Sequence, residues 1–214
     1  MTGAFWDAYA RHYDAIWDAP IATAVRDRLR AALGRPTVLI DLGCGTGLLS
    51  AGYEGSRVIG VDVSGAMLDR ALSTGRIDEA LQASAEQVPL PGGIADAVLV
   101  GNLLQLHDAP VSVLAEARRL AAPSAPIGVS WPVPALTPSM MLRLDVASGR
   151  GWPSSLRAHM LRAVVGMRAV RAAGAVAARA KGARDSGGLD HLLRAEAPRA
   201  DFGVIAGCQR VVVL

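Results

Sequence analysis

A glycine-rich turn that directly follows an apolar run constrains the fold of this chain more than any other feature. The stretch reads VLIDLGCGTGLL over residues 38–49, with Gly43, Gly45 and Gly47 at alternate positions. The apolar run has the length of a buried strand, and glycines after a strand allow a ligand to approach the backbone closely. The stretch therefore predicts a strand that ends in a ligand-binding loop.

Segments of strand length alternate with helical segments through the middle of the chain. Such alternation is typical of βαβ units, which build a parallel sheet covered by helices on both faces. Two apolar runs at the end, residues 202–206 and 209–214, predict a pair of closing strands. The other predicted strands are 37–42, 57–61, 81–84, 95–100 and 126–131, and the predicted helices are 20–33, 48–52, 65–72 and 110–121.

The composition predicts one globular domain. With 214 residues, of which 51% are hydrophobic and 19% charged, the chain can form a single sizeable core and is too apolar to be disordered. No apolar run reaches the roughly 18 residues that a membrane-spanning helix needs, and the first ten residues lack the basic start of a secretion signal. Cys44 and Cys208 suggest no disulfide framework, so we expect a cytoplasmic protein. The bias toward arginine and alanine is typical of a GC-rich bacterial genome, and we predict no metal site.

The glycine loop lacks the features of the two common phosphate-binding loops. A P-loop carries Gly-Lys-Ser or Gly-Lys-Thr, so that a lysine reaches the terminal phosphates, and this loop contains no lysine. A dinucleotide-binding loop has the pattern GxGxxG, whereas Leu48 stands here in place of the third glycine. An oxidoreductase that uses a nicotinamide dinucleotide is therefore disfavoured.

Two aspartates near the loop favour a ligand with positive charge. Asp41 precedes Gly43 by two residues, where a carboxylate would repel a pyrophosphate and attract an ammonium group. Asp62 ends the second predicted strand, 15 residues after Gly47, where it can accept hydrogen bonds from both hydroxyls of a ribose. A ribose with a cationic amino-acid tail and no phosphate describes S-adenosylmethionine (SAM).

A series of short motifs extends this pattern along the chain from about Tyr13 to Trp131. In order they are DLGCGTG at 41–47, VIGVDVS at 58–64 followed by Met67, AEQVP at 85–89, DAVLVGN at 96–102 and LAEARRL at 114–120. The series resembles the class I SAM-dependent methyltransferases, and most closely the small-molecule branch that includes ubiquinone/menaquinone-biosynthesis-type enzymes. The resemblance implies SAM as the cofactor and S-adenosylhomocysteine (SAH) as its product.

The same resemblance implies an α/β, Rossmann-like fold. Its sheet has seven mostly parallel strands with helices on both faces, the last strand is antiparallel, and a helical cap is inserted after strand 5. We expect a single domain over residues 1–214. Its parts would be N-terminal helices that form a lid (1–34), a cofactor-binding core (35–131), a helical cap (132–198) and closing strands (199–214).

The resemblance also implies roles for individual residues. The loop Gly43–Gly47 would contact the methionine moiety, Asp62 the ribose, and Val63 with Met67 the adenine. The chain departs from its relatives at Ser84, where they usually have aspartate, and at Gln105 and Leu106, which replace a frequent His-His pair. The implied cofactor-binding set is Tyr13, Asp41, Gly43, Cys44, Gly45, Thr46, Gly47, Asp62, Val63, Met67, Ser84, Ala85, Glu86, Gly101, Asn102 and Leu103.

Methyl transfer needs a catalytic base only if the acceptor still carries its proton. The chain has four histidines, and the simplest interpretation of each is a surface or capping residue. His107 is the best candidate for a base, because it follows the fourth strand at the substrate-facing edge of the sheet.

Aromatic residues recur at helical spacing near the start of the chain, at Trp6, Tyr9 and Tyr13. The simplest interpretation is a helix that packs its aromatic face on the core. The alternative, which the resemblance suggests, is a lid over the cofactor to which Tyr13 contributes its hydroxyl.

A basic segment lies where the resembled enzymes build their acceptor pocket. Residues 140–184 contain nine basic residues and one acid, a net charge of +8 in a chain of net charge +3. The arginines can be merely solvated, can bind an anionic acceptor, or can contact an anionic membrane surface. Nucleic acid is disfavoured, because Trp152 is the segment's only aromatic residue.

We therefore expect a monomeric or homodimeric methyltransferase that acts on a small molecule, either a secondary metabolite or an isoprenoid-like or lipid-like acceptor. The alternative is a protein that binds SAM or SAH without methylating, since fold alone does not determine function.

Overall fold

A computed structural model describes residues 3–107, 109–132, 186–198, 200, 202–205 and 209–214, together with the single positions 160 and 164. Seven strands form one sheet in the order β3-β2-β1-β4-β5-β7-β6. The strands are β1 (Val38–Leu42), β2 (Arg57–Asp62), β3 (Glu79–Gln82), β4 (Ala97–Gly101), β5 (Ile127–Pro132), β6 (Gly203–Ile205) and β7 (Gln209–Val213). The helices are α1 (Gly3–Trp17), α2 (Pro20–Leu33), α3 (Gly65–Ser73), α4 (Pro110–Leu120) and α5 (Ser186–Glu196).

The first five strands run parallel, and β7 pairs antiparallel with both β5 and β6. This confirms the predicted seven-stranded, mostly parallel sheet with an antiparallel closing pair. Strand order changes direction at β1, which lies between β2 and β4. The crevice at such a switch point, outside the carboxyl ends of the strands, is where open α/β sheets bind ligands.

Alternate residues of the central strands enter two separate hydrophobic layers. Leu39 of β1 packs with α2 and α3 residues such as Leu29 and Leu68. Its neighbour Ile40 packs with α4 residues such as Leu114 and with α5 residues including Leu193, on the opposite side. Both faces of the sheet are therefore covered, which explains why these strands read as continuous apolar runs.

The helix ends follow the local sequence signals. Ser64 accepts a hydrogen bond from the Met67 backbone N–H at 3.2 Å, so it caps α3 directly before the predicted helix 65–72. Pro20 lies in the first turn of α2, and Gly34 ends that helix with φ of 71° and an N–H bonded to the Arg30 carbonyl.

Some local predictions were wrong. Residues 48–52 form turns instead of a short helix, because Gly47 (φ 73°) and Gly52 (φ 83°) break the helical conformation at both ends of the segment. Strand β3 lies at 79–82 instead of 81–84, and Ser84 instead forms an isolated bridge with Gln87.

The predicted helical cap is only partly within the described residues. Helix α5 falls inside the predicted range 132–198, although its own bounds were not predicted, and it packs Leu189 and Leu193 into the core. The middle of the predicted cap, residues 140–181, lies outside the described residues, apart from Met160 and Val164. The division of the chain into lid, core, cap and closing strands stays a prediction. None of the helices in the described part of the chain combines the length and the apolar character needed to cross a bilayer.

Candidate functional site

A cavity of about 450 Å³ opens at the carboxyl edge of the sheet. Its walls come from α1, the glycine loop after β1, the end of β2, the segment after β3 and the segment after β4. Thirteen of the lining residues are among the predicted site residues. The lining residues are Trp6, Tyr13, Gly43, Gly45, Asp62, Val63, Met67, Ala83, Ser84, Ala85, Glu86, Gly101, Asn102, Leu103, Leu106, His107 and Ala109.

The glycine loop needs its glycines for conformation and for space. Gly43 and Gly45 both have positive φ, 67° and 54°, which L side chains rarely adopt. A β-carbon at Gly43 would also lie 2.5 Å from the Leu103 side chain. The N–H groups of Gly43 and Cys44 donate to the Val61 carbonyl at 2.7 and 3.0 Å, which fixes the loop on the end of β2.

Asp62 is bound to the glycine loop and stays accessible to the cavity. Its Oδ2 accepts from the Gly45 N–H and its Oδ1 from the Ser64 N–H, both at 2.9 Å. Burial raises the pKa of Asp62, and the backbone N–H groups partly offset that rise. Each carboxylate oxygen can accept a further hydrogen bond, so the side chain can still receive two ligand hydroxyls.

Asp41 lies behind the loop, at 2% exposure, and does not line the cavity. Burial raises its pKa to about 7, a rise that a hydrogen bond from Ser50 opposes and the charge of Asp62 increases. Three other predicted loop residues, Cys44, Thr46 and Gly47, also do not line the cavity. Any contact of these four residues with a cofactor stays a prediction.

Helix α1 covers the cavity with the aromatic face found in the sequence. Trp6 and Tyr13 line the cavity, and Tyr9 lies edge-on to both, with ring centroids 5.9 Å apart in each pair. Burial raises the pKa of Tyr13, and the nearby Asp62 adds to the rise. The three rings contact one another in sequence, and two of them, Trp6 and Tyr13, also line the cavity. The lid role stays a prediction.

Two carboxylates that the sequence analysis missed hold α1 in place. Asp14 Oδ1 accepts from the Thr46 hydroxyl at 2.5 Å, and Oδ2 accepts from Arg70 Nε at 2.9 Å and Arg76 Nη1 at 3.0 Å. Burial acts to raise the pKa of Asp14, but these three partners together lower it.

Asp7, seven residues earlier, accepts from the Ser64 hydroxyl at 2.6 Å and from the Ala66 N–H at 3.2 Å. The spacing of seven places both carboxylates on one helix face, and this was the signal available in the sequence.

The segment after β3 is fixed by its own turn and by α4. Ser84 Oγ accepts from the Glu86 N–H at 3.3 Å, so the serine stabilises its own turn. Glu116 of α4 accepts from the Val88 N–H at 2.7 Å, and Arg119 donates to the Val88 carbonyl at 2.9 Å. The motif LAEARRL thus supports the cavity wall from outside.

The segment after β4 brings polar groups to the opposite wall. Asn102 has φ of 53°, and its Oδ1 is buried without a hydrogen-bond partner in the described part of the chain. An acceptor left unpaired in this way is costly unless a ligand supplies a donor. His107 follows a 3-10 turn (Leu104–Leu106), and its Nδ1 lies 3.1 Å from Glu86 Oε1.

Four lining residues are not among the predicted site residues: Trp6, Ala83, Leu106 and Ala109. Trp6 carried a signal, since it belongs to the aromatic face of α1. The other three flank predicted positions, and small or apolar residues beside a motif give no chemical signal of their own.

Comparison with known proteins agrees with this geometry. Residues 40–127 match the methyltransferase-domain family. A curated relative, trans-aconitate 2-methyltransferase of Paracidovorax citrulli, is 30% identical over 132 residues, which is 59% of this chain. The chain spans about half of that relative, 51% of its length.

Two solved structures share the fold. One, assigned as an SAM-dependent methyltransferase of Methanococcus maripaludis, has a TM-score of 0.60 at 14% identity and covers 96% of this chain and 90% of its own. The other, a [4+2]-cyclase, has a TM-score of 0.54 at 18% identity and covers 89% of this chain and 78% of its own. At these identities the likeness establishes architecture and not reaction.

Proposed function

We propose that the chain carries a class I SAM-dependent methyltransferase domain and transfers the methyl group of SAM to a small-molecule acceptor. The match of residues 40–127 to the methyltransferase-domain family and the likeness to the curated methyltransferase support this. The observation that carries the proposal is the position of Asp62. Its carboxylate is held against the glycine loop by the Gly45 N–H and faces a cavity lined by no lysine or arginine among the described residues. Such a cavity suits a nucleoside with free hydroxyls and positive charge, and does not suit a pyrophosphate.

Different residues of the cavity would bind different parts of SAM. Asp62 would accept hydrogen bonds from the ribose hydroxyls, and Val63 with Met67 would flank the adenine. The unpaired Oδ1 of Asn102 would accept a hydrogen bond from the ammonium group of the methionine moiety. Asp41 is buried behind the glycine loop, so its carboxylate would attract that ammonium group without touching it.

The cofactor supplies the electrophilic methyl group, and the protein supplies orientation and the exclusion of water. Trp6 and Tyr13 would close the cavity from α1 and shield the sulfonium from solvent. His107 would remove a proton from an acceptor that carries one. The acceptor would enter on the side of the cavity near Leu106 and His107.

The binding part of the proposal is tested by titration calorimetry with SAM, SAH and NADH. We expect the wild-type protein to bind SAM and SAH and to give no heat with NADH. Asp62→Asn should weaken SAH binding by about tenfold or more, because an amide offers one acceptor oxygen in place of two. Asp69→Asn, on the exposed surface of α3, is the matched control and should bind SAH like the wild type. Binding of NADH without SAH would contradict the proposal.

The second candidate function is a protein that binds SAM or SAH without methylating. The [4+2]-cyclase shows that this architecture is found in proteins with another reaction. Formation of SAH from SAM in the presence of candidate acceptors separates the two functions, since a binding protein would form none.

For the acceptor, we propose a secondary metabolite or lipid-like molecule with some negative charge, in the cytoplasm. The ionisable side chains of the described cavity wall are Tyr13, acids and one histidine. Arginines that could bind a negatively charged acceptor would therefore come from the basic segment 140–184. Substituting Arg157, Arg168 and Arg179 with glutamine should raise the KM for an anionic acceptor and leave SAH affinity unchanged. Sedimentation with anionic and with neutral vesicles tests the membrane alternative.

A further inference from the structure

Glu86 and His107 form a pair that the cofactor-binding role predicted for Glu86 does not explain. The two side chains come from different segments, after β3 and after β4, and meet at the cavity wall with Nδ1 of His107 3.1 Å from Oε1 of Glu86. Both side chains are partly exposed, at 23% for His107 and 39% for Glu86. Both members of the pair therefore line the cavity and are accessible from it.

The contact determines which nitrogen of the imidazole carries the proton. A carboxylate only accepts hydrogen bonds, so Nδ1 must donate to it, and in the neutral ring Nε2 then keeps its lone pair. A histidine bonded through Nδ1 to a carboxylate has its ring orientation fixed as well as its tautomer. The other ionisable side chains that line the described cavity are Tyr13 and Asp62, and among the described residues the partner of the imidazole is Glu86.

The segment that carries Glu86 is fixed by hydrogen bonds on both sides of this residue. Its own N–H is bonded to Ser84 Oγ, and Val88, two residues on, is bonded through both its N–H and its carbonyl to Glu116 and Arg119. His107 is held in turn by its N–H, which donates to the Leu104 carbonyl at 3.3 Å. These bonds fix the backbone from which each of the two side chains extends.

We propose that Glu86 is a positioning residue that presents Nε2 of His107 as a general base, and that the acceptor is therefore a hydroxyl compound that still carries its proton. This inference rests on the proposed methyl transfer. The acceptor oxygen forms the new bond to the methyl carbon, the carbon–sulfur bond breaks and leaves a neutral thioether, and the hydroxyl proton passes to Nε2. The imidazolium is stabilised by Glu86 until it releases the proton to solvent.

The positioning role can be tested without knowing the acceptor. In a sample labelled with ¹⁵N at histidine and saturated with SAH, at a pH where the imidazole is neutral, His107 should show a protonated Nδ1 and an unprotonated Nε2. Glu86→Gln should shift this residue toward a mixture of tautomers. Glu54→Gln is the control, because the Glu54 side chain is 84% exposed and lies outside the cavity, and it should leave the tautomer of His107 unchanged. The signals of His107 are identified by their loss in His107→Gln. Wild-type His107 with its proton on Nε2, or an unchanged tautomer in Glu86→Gln, would overturn the proposal.

The acceptor class is tested by following SAH release with phenol, catechol, benzyl alcohol, benzoate and trans-aconitate. We expect turnover with a hydroxyl compound, a fall of about a hundredfold or more in His107→Gln and of about tenfold or more in Glu86→Gln. The double variant should be no slower than His107→Gln, since Glu86 acts through the histidine. Turnover of the carboxylates alone, at rates unaffected by either substitution, would overturn the acceptor class. Calorimetry with SAH separates this outcome from failure of the proposed function, because cofactor binding is measured independently.

Discussion

At the scale of single residues, the site is organised by carboxylates whose surroundings differ. Asp62 faces the cavity and accepts from backbone N–H groups, Asp14 pairs with two arginines, and Asp41 is buried, with a hydrogen bond from Ser50 that favours its charged form. Burial without a full set of partners disfavours an ionised carboxylate. Ionisation of the buried Asp41 carboxyl is therefore expected to lower the free energy of unfolding.

The stability of the folded chain should depend on pH because of the raised pKa of Asp41. Its pKa is about 7 in the folded chain and about 4 when unfolded, so ionisation makes the folded chain progressively less stable as pH rises from 4 to 7. Asp41→Asn removes this loss, and its melting temperature should exceed that of the wild type by several degrees at pH 8. At pH 5 the difference should be much smaller. Thermal unfolding at both values checks this.

Asp69→Asn, an exposed change on α3, is the control for the Asp41 experiment and should shift the melting temperature little at either pH. An Asp41→Asn variant that is less stable than the wild type at pH 8 would contradict the prediction. Such a result would mean that the charge of Asp41 is stabilised by partners other than Ser50.

At the scale of elements, α1 is attached to the rest of the site by polar contacts more than by a shared core. Asp14 joins it to the glycine loop through Thr46 and to α3 through Arg70, and Asp7 joins it to the start of α3 through Ser64. Its aromatic rings contact one another and the cavity. A helix held in this way can loosen without unfolding the sheet.

Asp14→Asn should therefore affect ligand binding more than stability. Loss of the charge weakens the contacts with Arg70 and Arg76, so that α1 covers the cavity for a smaller fraction of the time, and SAH affinity should fall by about tenfold. The melting temperature should fall by only a few degrees. Calorimetry and thermal unfolding of the same sample provide the two measurements.

Asp18→Asn is the matched control for Asp14→Asn, because Asp18 lies in the turn after α1 and makes a longer contact with Arg76, 3.8 Å, at a largely exposed site. It should retain wild-type SAH affinity. If Asp14→Asn unfolded the chain and left the SAH affinity of the remaining folded protein unchanged, α1 would be a structural element and not a lid.

At the scale of the whole molecule, one buried contact joins α5 to the two strands where the sheet changes from parallel to antiparallel. Trp131 of β5 is fully buried, and its indole Nε1–H donates to Asp190 Oδ1 at 3.0 Å. Arg210 of β7 lies 2.9 Å from the other carboxylate oxygen. Asp190 thus connects one layer of helices with β5 and β7.

Asp190→Ala should destabilise the chain by about 2–4 kcal/mol, because it leaves a buried indole N–H unpaired and removes the partner of Arg210. Denaturant unfolding measures the change. Asp27→Ala, at a side chain 61% exposed on α2, is the control and should change stability little. A loss below about 1 kcal/mol for Asp190→Ala would mean that solvent replaces the contact and that α5 docks by apolar packing alone.

Much of this molecule could be predicted from short-range patterns. The strands β1, β2, β4 and β5, the helices α1 to α4 and the presence of a closing strand pair follow from periodicity, caps and turn residues, because each pattern reflects burial and hydrogen bonding within a few positions. The antiparallel direction of the last strand was implied by the family resemblance. The predicted helix at 48–52 was wrong since two glycines with positive φ outweighed its apolar residues.

The sequence by itself predicted the chemistry of the cavity, because the loop lacks the lysine of a P-loop and the third glycine of a dinucleotide-binding loop, which disfavours a phosphate ligand. Only the tertiary structure decided which side chains meet. It paired Glu86 with His107 across segments 21 residues apart, placed Asp41 behind the loop, and joined Asp14 to Arg70 and Arg76. These contacts depend on the order of strands in the sheet, and strand order is set by the packing of the whole chain and not by any local pattern.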